Sequence, residues 1–168
     1  KDYESYITDQ FVGRDRWIGL KTGAERAMLK QESNDIYFAA DGYLIEKHTG
    51  SFTEKRAEDN ISYLASFMKE MKARYGEGRA TAMIVPNAVE ILKDKLPPFA
   101  SPYDQSVYLK KIEEALPEGT WFDSAAVLRE HTDEEIYYRT DHHWKTLAAY
   151  YVYAAWAKEK GFEPPSLS

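Results

Sequence analysis

The five-residue run Thr81-Ala82-Met83-Ile84-Val85 is the strongest constraint on what this chain can fold into. A continuous apolar run of that length, halted by Pro86, fits a strand covered on both faces rather than one with a wet face. Such a strand needs helices on either side, and the flanking segments supply them.

Residues 3 to 32 read as helix broken near Gly13 or Gly23, with Ile7, Phe11, Trp17, Ile18 and Leu20 as apolar positions. Asn34 to Phe38 and Tyr43 to Glu46 are short strand candidates around Ala40-Asp41-Gly42, a good hairpin turn. Thr53 reads as an N-cap, followed by Ile61, Leu64, Phe67, Met68 and Met71 at helical spacing and a stop at Gly76. After the central run come a helix around Ser106 to Leu116, a strand at Trp121-Phe122 and a helix from Ser124 to Glu130. A strand at 136 to 139 and a helix from about 144 to Lys160, closed by Gly161, complete the order. Strands alternating with helices predict a three-layer α/β domain with a mostly parallel sheet. Ligands in such sheets sit beyond the carboxyl ends of strands, where Pro86-Asn87 and the segment from Asp141 to His143 both fall.

The 168 residues fit one domain, 1–168, long enough to bury a core. With 22 basic against 28 acidic side chains, a net charge of −6 and no basic stripe, a nucleic-acid-tracking surface is not expected. Cysteine is absent, so disulfides and thiolate sites are excluded. No apolar stretch reaches the roughly 20 residues that span a bilayer. The chain starts at Lys1, as after removal of a leader or an N-terminal membrane attachment, and Glu163 to Ser168 trail off without closing an element.

Thr140-Asp141-His142-His143-Trp144 gathers an acid, two imidazoles and an indole. Imidazole can accept and return a proton near neutrality, and an Asp two residues before a His shares its face in extended backbone. Asp141 and His143 therefore read as the orienter and base of a hydrolytic triad. Helix capping by Thr140 or Asp141 explains the same residues without chemistry. Metal binding by Asp141, His142 and His143 is a further reading, but it lacks aspartates at an early strand end. No cofactor or metal is expected. Ser124 follows Phe122-Asp123 into a helix, yet no Gly precedes it to form a sharp elbow, so capping is the simpler role. Asn87 could donate to an oxyanion. Tyr138 and Trp144 are the aromatics chosen as a cleft wall from a crowd that includes Tyr137, Tyr150, Tyr151, Tyr153 and Trp156. His48 and His131 read as solvated.

The motif followed by a Tyr/Ala-rich helix resembles the DHHW protein family, itself similar to the alginate O-acetyltransferase-like branch of the SGNH hydrolase superfamily. Asp9-Gln10-Phe11, Gly13-Arg14-Asp15, Tyr37-Phe38, Asp41-Gly42-Tyr43-Leu44-Ile45 and Val85-Pro86-Asn87 stand in the family's order. The branch's Asp-x-His-Trp motif implies Asp141 as orienter and His143 as base, with His142 in the variable slot. It also implies a nucleophilic serine in a later Gly-x-Ser turn, which these 168 residues lack, so the resemblance implies a domain whose nucleophile either lies beyond Ser168, leaving the domain incomplete at its C-terminus, or has been lost. The activity implied is O-acyl transfer or ester hydrolysis on a cell-surface polysaccharide outside the cytoplasm, with Asn87, Tyr138, His142 and Trp144 on the substrate side. The alternatives are a non-catalytic carbohydrate-binding or assembly domain and a metal-dependent hydrolase.

Overall fold

The structure, a computed structural model, describes residues 13–48 and 53–167. The expected apolar positions Ile7 and Phe11 and the stretch Asp9-Gln10-Phe11 lie outside them. The described elements are α1 (Arg14–Ala27), β1 (Glu32–Ser33), β2 (Ile36–Phe38), β3 (Leu44–Glu46), α2 (Glu54–Tyr75), α3 (Ala88–Ile91), α4 (Gln105–Ala115), α5 (Ser124–Arg129) and α6 (Thr146–Glu159).

Strands β1, β2 and β3 form an antiparallel sheet in chain order, with Tyr37 opposite Ile45 and Phe38 opposite Leu44. Two tight turns join them, and both use left-handed backbone: Asn34 and Asp35 in the first, Asp41 and Gly42 in the second. Asn, Asp and Gly are the residues that tolerate that conformation.

The mostly parallel sheet expected from the sequence is not what the described residues form. Parallel pairing is confined to one bridge between Ala82 and Trp121, held by Ala82 N–H to the Thr120 carbonyl (2.7 Å) and Phe122 N–H to the Ala82 carbonyl (3.0 Å). Residues around that bridge pack in two directions. Ala82 packs with Met68 of α2 and Leu116 at the end of α4, while Met83 and Val85 pack toward the main core. That core joins Tyr37 and Ile45 of the sheet, Val89 and Leu92 around α3, Leu128 of α5, and Ala148 and Val152 of α6.

Helix ends follow local chemistry. Asp104 accepts from Ser106 N–H at the start of α4 and Asp123 accepts from Ala126 N–H at the start of α5, each 3.0 Å. Short acidic side chains at that position satisfy an amide that the helix itself cannot. Thr53 occupies the position before α2 but makes no capping bond. Gly76 and Gly161 follow α2 and α6 with φ of 90° and 79°, as helix stops need.

Two side-chain bonds fasten neighbouring elements to the end of the apolar run. Ser124 Oγ–H donates to the Ile84 carbonyl and Tyr137 O–H to the Pro86 carbonyl, both at 2.6 Å. Tyr137 is buried, and burial pushes its phenol above the ordinary range, so it stays a donor. Removing that hydroxyl would strand a carbonyl. Tyr137→Phe is expected to lower unfolding free energy by about 1–2 kcal/mol in urea titrations without changing the fold. A variant as stable as the parent would show that the bond contributes nothing.

Candidate functional site

The motif sits at the tip of a short hairpin, not at the start of a helix. Tyr137 bridges Trp144 in antiparallel sense; Tyr138 N–H donates to the His143 carbonyl at 3.2 Å and Lys145 N–H to the Ile136 carbonyl at 2.8 Å. The last helix begins only at Thr146, with Lys145 before it. Thr140 and Asp141 therefore do not cap it, and the helix expected from 144 starts two residues later. Trp144 belongs to the hairpin because its indole packs against the main core from there.

Asp141 organises the tip. Its Oδ1 accepts from the backbone N–H of His143 at 2.8 Å, an Asx turn, and also meets His143 Nδ1 at 2.5 Å. The pairing expected from i, i+2 spacing is present, but a turn produces it rather than extended backbone. The His143 amide first, and its imidazole second, hold the Asp141 carboxyl below the ordinary aspartate range. With Nδ1 committed to the carboxylate, Nε2 carries the lone pair that can take a proton. No hydrogen bond reaches Nε2 among the described residues. Both side chains are half-exposed or more, 50% for Asp141 and 64% for His143. The pair is open to a reactant.

His142 lies beside it, its ring 4.0 Å from that of His143 and its Nδ1 4.0 Å from the same Asp141 oxygen. Potential ligand atoms of Asp141, His142 and His143 all fall within 4.8 Å of one another. Glu135 braces the base of the hairpin. It pairs with Arg139 and accepts from Lys145 Nζ at 2.5 Å, and these cations, Lys145 foremost, hold its carboxyl low. Sequence reasoning overlooked this clasp, although the i, i+4 spacing of Glu135 and Arg139 signals half of it.

The other expected residues are dispersed. Tyr138 is exposed beneath Lys145, whose Nζ stands 5.6 Å from the ring centroid. Trp144 lines an apolar groove of about 360 Å3 with Thr81, Met83, Val152, Tyr153 and Trp156, and Tyr138 does not share it. Asn87 lines a separate cavity of about 270 Å3 with His48, Tyr103 and Tyr108. Its backbone N–H donates to Gln105 Oε1 at 3.1 Å. Asn87 shares no described contact with Asp141 or His143.

Three minor readings change. Ser124, 1% exposed with its hydroxyl spent on Ile84, is neither a nucleophile nor the cap, since Asp123 takes the capping role. His131 is not simply solvated: its ring stacks on Tyr151, centroids 3.7 Å apart and 7° from parallel, and Nδ1 meets Glu134 at 2.9 Å. His48 is partly buried in the wall of the Asn87 cavity. Sequence reasoning also missed Glu90, a buried carboxylate in α3 that meets Lys93 at 2.8 Å, Arg129 at 3.1 Å and the Gln105 amide at 3.2 Å. Three elements converge on it.

The Asp141–His143 pair at the exposed hairpin tip has the partners of a general base and its orienter. Residues 33–164 match the family model described as the SGNH hydrolase-like domain of acetyltransferase AlgX, and the chain belongs to that family. A solved structure, a DHHW family protein from Eubacterium siraeum, is similar at 26% identity with a TM-score of 0.60. The match covers 77% of this chain and 41% of that one, so this chain spans less than half of its neighbour's length. Comparison with curated proteins gives no match. Among the described residues, no helix is long and apolar enough to cross a membrane.

Proposed function

We propose that this chain carries the base and orienter of an O-acyl transfer or ester-hydrolysis site acting on a cell-surface polysaccharide outside the cytoplasm. The observation that carries the reading is the Asp141 oxygen on His143 Nδ1, which leaves Nε2 poised and exposed. In this reading His143 Nε2 takes the proton from a serine hydroxyl as that oxygen attacks the acyl carbonyl. It then returns the proton to the departing alkoxide. Asp141 keeps the tautomer and stabilises the imidazolium without accepting the proton. The serine comes from a Gly-x-Ser turn outside these 168 residues. Tyr138, His142 and Trp144 flank the pair on the acceptor side, and Asn87 lies further off beyond the strand end.

The 168-residue chain is expected to hydrolyse p-nitrophenyl acetate scarcely faster than free imidazole, because a dyad without its nucleophile loses several orders of magnitude. A longer natural chain should be active and lose that activity in His143→Ala. Hydrolysis by the 168-residue chain that survives His143→Ala would contradict the proposal.

One observation favours a second reading, metal binding: the clustering of Asp141, His142 and His143. We rank it lower because Asp141 Oδ1 already accepts two bonds from His143, so an ion bound through that oxygen would compete with them. Calorimetric titration with Zn2+ is expected to show no stoichiometric site. Tight one-to-one binding that is lost in both His142→Ala and His143→Ala would reverse the ranking.

A further inference from the structure

Little backbone pairing closes the hairpin that carries the pair. Its arms are joined by Tyr138 N–H to the His143 carbonyl at 3.2 Å, long for such a bond, and by Lys145 N–H to the Ile136 carbonyl at 2.8 Å. Every residue from Tyr138 to His143 is exposed. A two-stranded ribbon is marginal by itself, and an exposed tip opens more readily than the core below it. Asp141 Oδ1 keeps both its bonds to His143 only while that turn is closed.

One side chain spans the two arms. Glu135 Oε1 pairs with the Arg139 guanidinium of the first arm, and Oε2 accepts from Lys145 Nζ of the second at 2.5 Å. Each partner is anchored elsewhere. The Arg139 carbonyl accepts from Leu44 N–H of β3 at 2.6 Å, and its guanidinium stands 5.8 Å from the ring centroid of buried Tyr43. Lys145 immediately precedes α6, with its ammonium 5.6 Å from the Tyr138 ring centroid. Glu135 adjoins Ile136, which is fully buried. A carboxylate rooted at the core edge therefore joins an arm fixed on the small sheet to an arm fixed on the last helix.

We propose that Glu135 is a positioning residue for the Asp141–His143 pair, holding the arms in the register that keeps Asp141 on His143 Nδ1. The inference rests on reading that pair as orienter and base. Glu135 acts through Lys145 and Arg139, which hold its carboxyl below the ordinary glutamate range. It is therefore ionised through the neutral range in which imidazoles serve as bases. Exposed ion pairs add little to global stability, but local opening of a tip responds to energies that small. The clasp therefore governs the geometry of the tip and leaves the melting of the fold nearly untouched.

Nitrogen-15 NMR of histidine-labelled protein, recorded above the imidazole pKa, tests this. It reads the ratio of Nδ1-protonated to Nε2-protonated His143, and amide exchange at His143 is followed beside it. Glu135→Ala and Lys145→Ala should each lower the ratio and speed the exchange by about threefold to fivefold. Lys145→Arg, which keeps the cation, should match the parent. Melting temperatures of all three variants should stay within about 3 °C of the parent. An unmoved ratio in Glu135→Ala would overturn the proposal. So would a shift in Lys145→Ala alone, which would assign the effect to the Tyr138 contact. A larger fall in melting temperature with the ratio unchanged would leave Glu135 a purely structural role and also overturn it. His143 already protonated on Nε2 in the parent would overturn the reading of the pair, and this inference with it.

Discussion

The hydrogen bond from the buried phenol of Tyr137 to the Pro86 carbonyl is the constraint on which the site depends. Proline ends the apolar run and leaves its carbonyl facing the core, where it needs a donor. Tyr137 supplies one from the hairpin that carries the motif, and Ser124 supplies a similar bond two residues earlier, at Ile84. Tyr137 also bridges Trp144, so the tie that positions the hairpin base positions both flanks of its tip. Desolvated and bonded, neither hydroxyl is available for chemistry.

At the tip, one carboxylate oxygen performs two tasks. By accepting the His143 amide, Asp141 closes the turn; by meeting Nδ1, it fixes the ring in the same motion. Side chains this exposed gain little stability from an ion pair, because water screens both partners. The pairing therefore matters for orientation. It belongs to the local backbone and survives without a buried pocket, while the clasp of Glu135 with Arg139 and Lys145 holds the two arms together from below.

Local chemistry was legible in the sequence, and its long-range completion was not. Phe122-Asp123-Ser124 leads into a helix, Gly76 and Gly161 mark stops, and Ala40-Asp41-Gly42 marks the β2–β3 turn, because each effect is decided within a few residues. The motif's acid–imidazole pairing was readable for the same reason. Its setting was not. Trp144 scans as the first residue of a helix, and only packing against the core shows that it closes a hairpin instead. His131 looks solvated until Tyr151, 20 positions away in sequence, is brought beneath its ring. Ser124 looks like a cap until its hydroxyl is seen to donate to the Ile84 carbonyl. The parallel sheet failed as an expectation for a related reason: a buried run promises neighbours on both edges, and the described residues provide one. Asn87, chosen for its place beyond a strand end, shares no described contact with the pair, since strand-end position does not fix which cavity a side chain enters.

The central claim is that Asp141 sets the tautomer of His143. Long-range 15N–1H correlation on histidine-labelled protein, recorded above the imidazole pKa, reads that tautomer directly. The account predicts that His143 carries its proton on Nδ1, with Nε2 bare, and that Asp141→Ala releases this preference. A neutral His143 protonated on Nε2 in the unaltered protein would contradict the account, because the nitrogen offered to a reactant would then have no lone pair to accept a proton.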